Sequence, residues 1–234
     1  MFGVDFEVNG IPVSGLGAVG NEVTLTLATA QLLTGTFSGG TPLSFLSSEG
    51  EALRTVRLVQ SAPPAAGPAN ISVSDASALT GVRGGQTVTV ASGGSLGANF
   101  HAGRGSTVNL DGGSIGTNLE AYYATVNIAS GQVGNNLDAF AGSQINVQGG
   151  QVGLSLDAYA QSIINLSAGT ITSVNARSGS AVNVSGGRLS SLAASSGSTT
   201  VWNGGVLPGM SVSSGASLTT VSYTHLTLPT ILRV

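Results

Sequence analysis

In residues 23–29 the chain reads VTLTLAT, apolar and polar in strict turn, and the same period returns in LTGTF (residues 33–37) and TVRLV (residues 55–59). Successive side chains on a strand point to opposite faces, so these runs predict half-buried strands. Ser38-Gly39-Gly40, between LTGTF and PLSF, tolerates the positive φ that a hairpin turn requires. Residues 1–60 are therefore expected to form a small antiparallel β module. SAPPAAGPA, residues 61–69, keeps no apolar period and is broken by Pro63, Pro64 and Pro68, which reads as a linker.

After an entry coil at about 70–85, the pattern becomes a repeat. GQVGNNLDAF, beginning at Gly131, returns as GQVGLSLDAY, beginning at Gly150. The wider frame, residues 86–220, can be written as seven stacked lines, with STVNLDGGSIGTNLEAYY and SQINVQGGQVGLSLDAYAQ among them. A glycine recurs at 94, 113, 131, 150, 169, 187 and 205, in steps of 19, 18, 19, 19, 18 and 18. A fixed period of this size with strand-like residues and no helical pattern marks a solenoid.

Within one line, alternation turns Val108, Leu110, Leu119 and Ala121 inward and Asn109 and Glu120 outward. Burying about four aliphatic side chains gains roughly 6 to 12 kcal/mol gross. Ordering the backbone costs more, at about 1 to 2 kcal/mol per residue. No line can fold alone, so the lines must stack, and the expected fold is all-β, a parallel β-helix with coils of about 18 to 19 residues. A left-handed hexapeptide solenoid needs an aliphatic every six residues, whereas six and twelve on from Val108 stand Ser114 and Glu120. The right-handed form is favoured.

Composition narrows the function. The net charge is −3, and all seven basic residues are Arg, which argues against nucleic acid as partner. There is no Cys, hence no disulfide framework or thiolate metal site. No apolar run reaches a membrane span, and the first residues carry no signal-peptide pattern. GLGAVG at residues 15–20 matches a dinucleotide fingerprint but leads into a strand pattern, and is set aside. Three Asn-x-Ser triplets, at Asn70, Asn165 and Asn183, are as expected by chance in a Ser-rich chain. Trp202 falls in a late coil and reads as core or end-cap.

The pattern SxVNVxxGGxxGxxLDA resembles the glycine-rich passenger repeats of self-associating autotransporter adhesins and similar repeats of large secreted bacterial proteins. The likeness covers residues 86–216. The leading module and GVRGGQTVTV also resemble the spacer and entry coil between solenoids in such proteins. The resemblance implies a fragment of a larger exported protein, located extracellularly or at the cell surface. Its partners would be cell-surface or matrix polysaccharide, or further copies of itself.

Stacking turns columns of letters into rows in space. Asn109, Asn127, Asn146, Asn165 and Asn183 form one column, expected to be a structural amide ladder. A second column runs His101, Glu120, Asp138, Asp157 and Asn175, and two positions later come Gly103, Tyr122, Phe140, Tyr159 and Arg177. Glu120, Tyr122, Asp138, Phe140, Asp157 and Tyr159 are candidate ligand contacts, because aromatic rings flanked by acceptors suit sugar rings. The plainer alternative is that the rings cover a corner and the acids keep the surface soluble. The calcium motif GGxGxD is not met: GGSIGTNL places an extra residue before its third Gly and has Asn118 in place of Asp. No metal or other cofactor is expected. Catalysis is not expected either; the enzymatic alternative is a polysaccharide hydrolase or lyase using carboxylates from neighbouring coils.

Residues 221–234, VSYTHLTLPTILRV, break the repeat and read as a translated sequencing-library adapter followed by index-dependent residues. The other reading is a native C-terminal strand. On the adapter reading, His101 is the native histidine, His225 being part of the adapter.

Overall fold

The computed structural model describes residues 2–3, 6–28, 31–36, 42–47, 54–60 and 68–220. The proposed adapter lies outside the described residues, as do most of the linker and the Ser38-Gly39-Gly40 turn.

The leading module holds two small sheets. Glu22–Leu27 pairs antiparallel with Arg54–Gln60, which also receives Phe2–Gly3 in parallel. Leu32–Thr36 pairs antiparallel with Pro42–Leu46 on one side and Glu7–Val8 on the other. Glu7–Val8 turns back into Ile11–Pro12 through Asn9 and Gly10, both at positive φ (50° and 78°). A two-residue Asn-Gly connection of this kind matches the twist of the strands it joins. Phe6, Leu16, Leu27, Leu33 and Leu58 are buried together as the module's core.

The rest is a parallel β-solenoid of about 8 turns. Each full coil contributes to three parallel ladders. In the first, Asn70–Val73 pairs with Thr87–Ala91, which pairs with Thr107–Ile115, then Thr125–Val133, Gln144–Val152 and Ile163–Ala176. The register sets Val108 against Val126, Val126 against Ile145, and Ile145 against Ile164. All four are fully buried in one file. Leu110, Ile128, Val147 and Leu166 make a second file beside it, and Leu119, Leu137 and Leu156 face them from the third ladder. The core thus runs as one apolar column along the axis. Trp202 packs against it at the C-terminal end, its indole N–H donating to the Gly204 carbonyl.

The alternation of 18 and 19 residues is absorbed in the short links between the buried files. From Ile115 to Leu119 is four steps, as from Val133 to Leu137, but from Ile171 to Val174 it is three. The longer corner places Asn99, Asn118 and Asn136 at positive φ (58°, 60° and 62°). Among L residues Asn tolerates this region best. Their amides also link along the axis, Asn118 Nδ2 donating to Asn99 at 2.9 Å and Asn136 Nδ2 to Asn118 at 3.1 Å. At another corner, Ser106, Ser143, Ser162, Ser180 and Ser198 each turn a buried hydroxyl back to the carbonyl three residues earlier, at 2.5 to 2.7 Å. These buried hydroxyls are satisfied within their own turns.

On the outer face of the first ladder, Asn127, Asn146, Asn165 and Asn183 each donate from Nδ2 to the Oδ1 of the Asn one coil earlier, at 2.8 to 2.9 Å. Asn109 accepts the first of these bonds. An amide carries both a donor and an acceptor, so one residue type repeated in register can extend such a row.

Candidate functional site

The third ladder brings the outward residues of successive coils into register: His101 opposite Glu120, Glu120 opposite Asp138, Asp138 opposite Asp157, and Asp157 opposite Asn175. The three carboxylates are held at the ladder spacing, with a histidine beside the first and an arginine and an amide beside the last. His101 Nδ1 lies 3.1 Å from Glu120 Oε2. Arg177 donates to Asp157 Oδ1 at 2.7 Å, and Asn175 Nδ2 donates to the same carboxylate at 3.2 Å. Asp138 stands between two acids. Burial, then Asp157 and Glu120, push its carboxyl up to about 7, against a smaller opposing pull from Arg177.

The aromatics lie just beyond the strand ends, where the chain turns the next corner. Phe140 and Tyr159 are stacked at 4.7 Å with a 22° tilt, and Tyr122 meets Tyr123 edge to face at 5.1 Å. Tyr159 lies close enough to the acid row that burial, Asp138 and Asp157 push its hydroxyl up to about 12. The Arg177 guanidinium sits 5.8 Å from the centre of that ring.

The row of rings is not a uniformly open stripe. Tyr122 is 3% exposed and Phe140 is 4% exposed, because both are buried in one cluster with Leu32 of the leading module, against which Leu46 also packs. Glu120, Asp138, Asp157 and Tyr159 remain partly exposed. Tyr122 and Phe140 therefore hold the module to the solenoid, and Tyr159 is the ring of the stripe left partly exposed.

Sequence reasoning missed the residues that make this junction. Arg104 donates to the Gly10 carbonyl at 2.7 Å and to Glu7 Oε1 at 3.3 Å, and lies 5.5 Å from the centre of the Tyr123 ring. Tyr123 has φ 44°, and its hydroxyl reaches the Asn9 carbonyl (3.4 Å) and Gln161 Oε1 (3.3 Å). A Cβ on Gly10 or on Gly142 would fall 2.1 Å from the Tyr123 ring, so both positions leave room for it. The available signals were the Asn9-Gly10 dipeptide and the Tyr122-Tyr123 doublet, which occupies a corner one residue shorter than its counterparts.

Between module and solenoid lies a cleft of about 380 Å³. Glu7, Thr34 and Leu43 line it from the module; Val82, Arg83, His101, Arg104, Glu120 and Tyr122 line it from the solenoid. The Tyr122 hydroxyl is enclosed and has no hydrogen-bond partner among the described residues. Its ionisation is pushed up by burial and by the Glu7 charge.

Among the described residues, no group of three or more His, Asp or Glu is placed to hold a metal ion. No family model, curated protein or solved structure matches the chain.

Proposed function

We propose that the chain is a structural and adhesive β-solenoid segment of a larger exported bacterial protein, displayed at the cell surface or in the extracellular medium and contacting glycans. The observation that carries this reading is the register of the buried files, which is kept from coil to coil across local bulges. Coil after coil keeps the same three ladders, and the corner changes are single-residue adjustments. That regularity suits a rigid spacer presenting repeated contacts. Glycan contact falls to the end of the acid and aromatic row that keeps a partly exposed ring, where Asp138, Asp157 and Tyr159 offer acceptors beside that ring and Arg177 adds donors. The test is retention of the whole chain on a polysaccharide array. Tyr159→Ala combined with Asp157→Asn should reduce retention with unchanged far-ultraviolet circular dichroism, and equal retention would discard this contact surface.

One observation favours a second reading, a polysaccharide hydrolase or lyase. A carboxyl raised to about 7 beside two further acidic side chains is a combination used for acid and base catalysis, and Asp138 has it. Release of reducing or unsaturated sugar ends from a broad polysaccharide panel, lost in Asp138→Asn, would support it. No release from any of them would retire it.

A further inference from the structure

We propose that the cleft between the leading module and the solenoid binds a neutral sugar unit of one or two rings, the end of a longer glycan. The proposal rests on the glycan-contact reading above and adds a second, enclosed site to it. Three observations carry it.

The first is size. A cleft of about 380 Å³ lies at the lower end of the range of small-ligand sites, enough for one or two pyranose rings. The second is charge. The lining contains two carboxylates, Glu7 and Glu120, and two guanidinium groups, Arg83 and Arg104. Arg104 is already engaged by Glu7 and the Gly10 carbonyl, and Glu120 by His101. Opposite charges balanced within the wall select neither an anion nor a cation; they leave acceptors and donors suited to hydroxyl groups. Leu43 from the module and the Tyr122 ring add apolar surface of the kind that packs on the C–H face of a sugar.

The third is Tyr122. Buried polar groups are nearly always partnered, and a buried hydroxyl without a partner calls for a reason. The Tyr122 ring lines the cleft, and its hydroxyl finds no partner among the described residues. A sugar hydroxyl, donor and acceptor at once, completes it after a small shift of the ring. Glu120, two residues before Tyr122 on the same coil, and His101 beside it would take two further hydroxyls of the same ring.

The test uses the whole chain and saturation-transfer NMR with glucose, galactose, mannose, cellobiose and lactose, and with glucuronate and glucosamine as charged counterparts. The expected result is transfer to one or more neutral sugars. Glu120→Gln and Tyr122→Phe should each weaken that binding by about tenfold, the size of one lost hydrogen bond in a closed site. Tyr122→Phe should at the same time leave the melting temperature equal or higher, since it removes an unpartnered hydroxyl. A purely structural tyrosine would not lose sugar affinity on that change. Transfer only to charged sugars, or neutral-sugar binding untouched by both substitutions, overturns the cleft site. If array retention is lost in Tyr159→Ala but persists in Glu120→Gln and Tyr122→Phe, the cleft site falls and the glycan reading stands. If the unaltered chain is retained on no glycan and shows no transfer, both fall.

Discussion

Arg104 Nη1 donates to the Gly10 carbonyl at 2.7 Å, across 94 positions of sequence, and so ties the tip of the module's first hairpin to a corner of the solenoid. The same guanidinium reaches Glu7 and lies over Tyr123. Three weak contacts meet on one side chain whose surface is half exposed, so solvent reduces each of them. Arg104→Ala should cost the junction about 1 to 2 kcal/mol. In calorimetry the module should melt earlier while the solenoid transition stays in place, and hydrogen exchange should rise at Leu32 and Leu33. A single transition shifted as a whole would show that the two parts do not separate.

Asp138 gives the fold a definite pH dependence. Its carboxyl titrates near 7 in the folded chain and near 3.9 when unfolded, so between those values the folded state binds the extra proton. Stability contributed by the neutral form is therefore present below about pH 4 and lost as pH rises to about 7. The facing groups are Glu120, Asp157, Arg177 and Tyr159, with His101 beyond Glu120. Asp138→Asn removes the charge and leaves an amide able to donate to either neighbouring carboxylate. At pH 8 it should be more stable than the parent by about 1 to 3 kcal/mol, with a flatter profile between pH 4 and 7 in urea melts.

The Asn row can be weighed by position. Asn146 lies inside it and takes part in two inter-coil bonds, to Asn127 and from Asn165. Asn183 has one described bond in the row, to Asn165, because Val201 occupies the next coil. Asn146→Ala should cost about 1 to 3 kcal/mol and Asn183→Ala roughly half as much, since each bond broken is worth about 1 kcal/mol. Equal costs in chemical denaturation would mean that the amides act independently of the row.

Two glycines separate close approach from mere flexibility. A Cβ on Gly149 would fall 2.1 Å from the Ala129 carbonyl oxygen of the coil below, whereas one on Gly97 would have nothing within 4 Å. Gly149→Ala should lower stability by about 3 kcal/mol or more, because coils must be pushed apart. Gly97→Ala should stay within about 0.5 kcal/mol of the parent. Thermal melts of the two variants decide it.

The sequence by itself determined the solenoid. A coil touches chiefly the coil before and the coil after, so every inter-coil contact recurs at the same offset and appears in the letters as a period. The buried file through Val108, Val126, Ile145 and Ile164, the Asn row and the acid row were legible for that reason. Tertiary structure alone decided what covers the rings. The contacts of Glu7, Asn9, Gly10 and Leu32 with Arg104, Tyr122, Tyr123 and Phe140 join segments about a hundred residues apart, each made once, and a contact made once leaves no period. The same docking walls in the cleft, buries the Tyr122 and Phe140 rings and leaves the Tyr159 ring partly exposed.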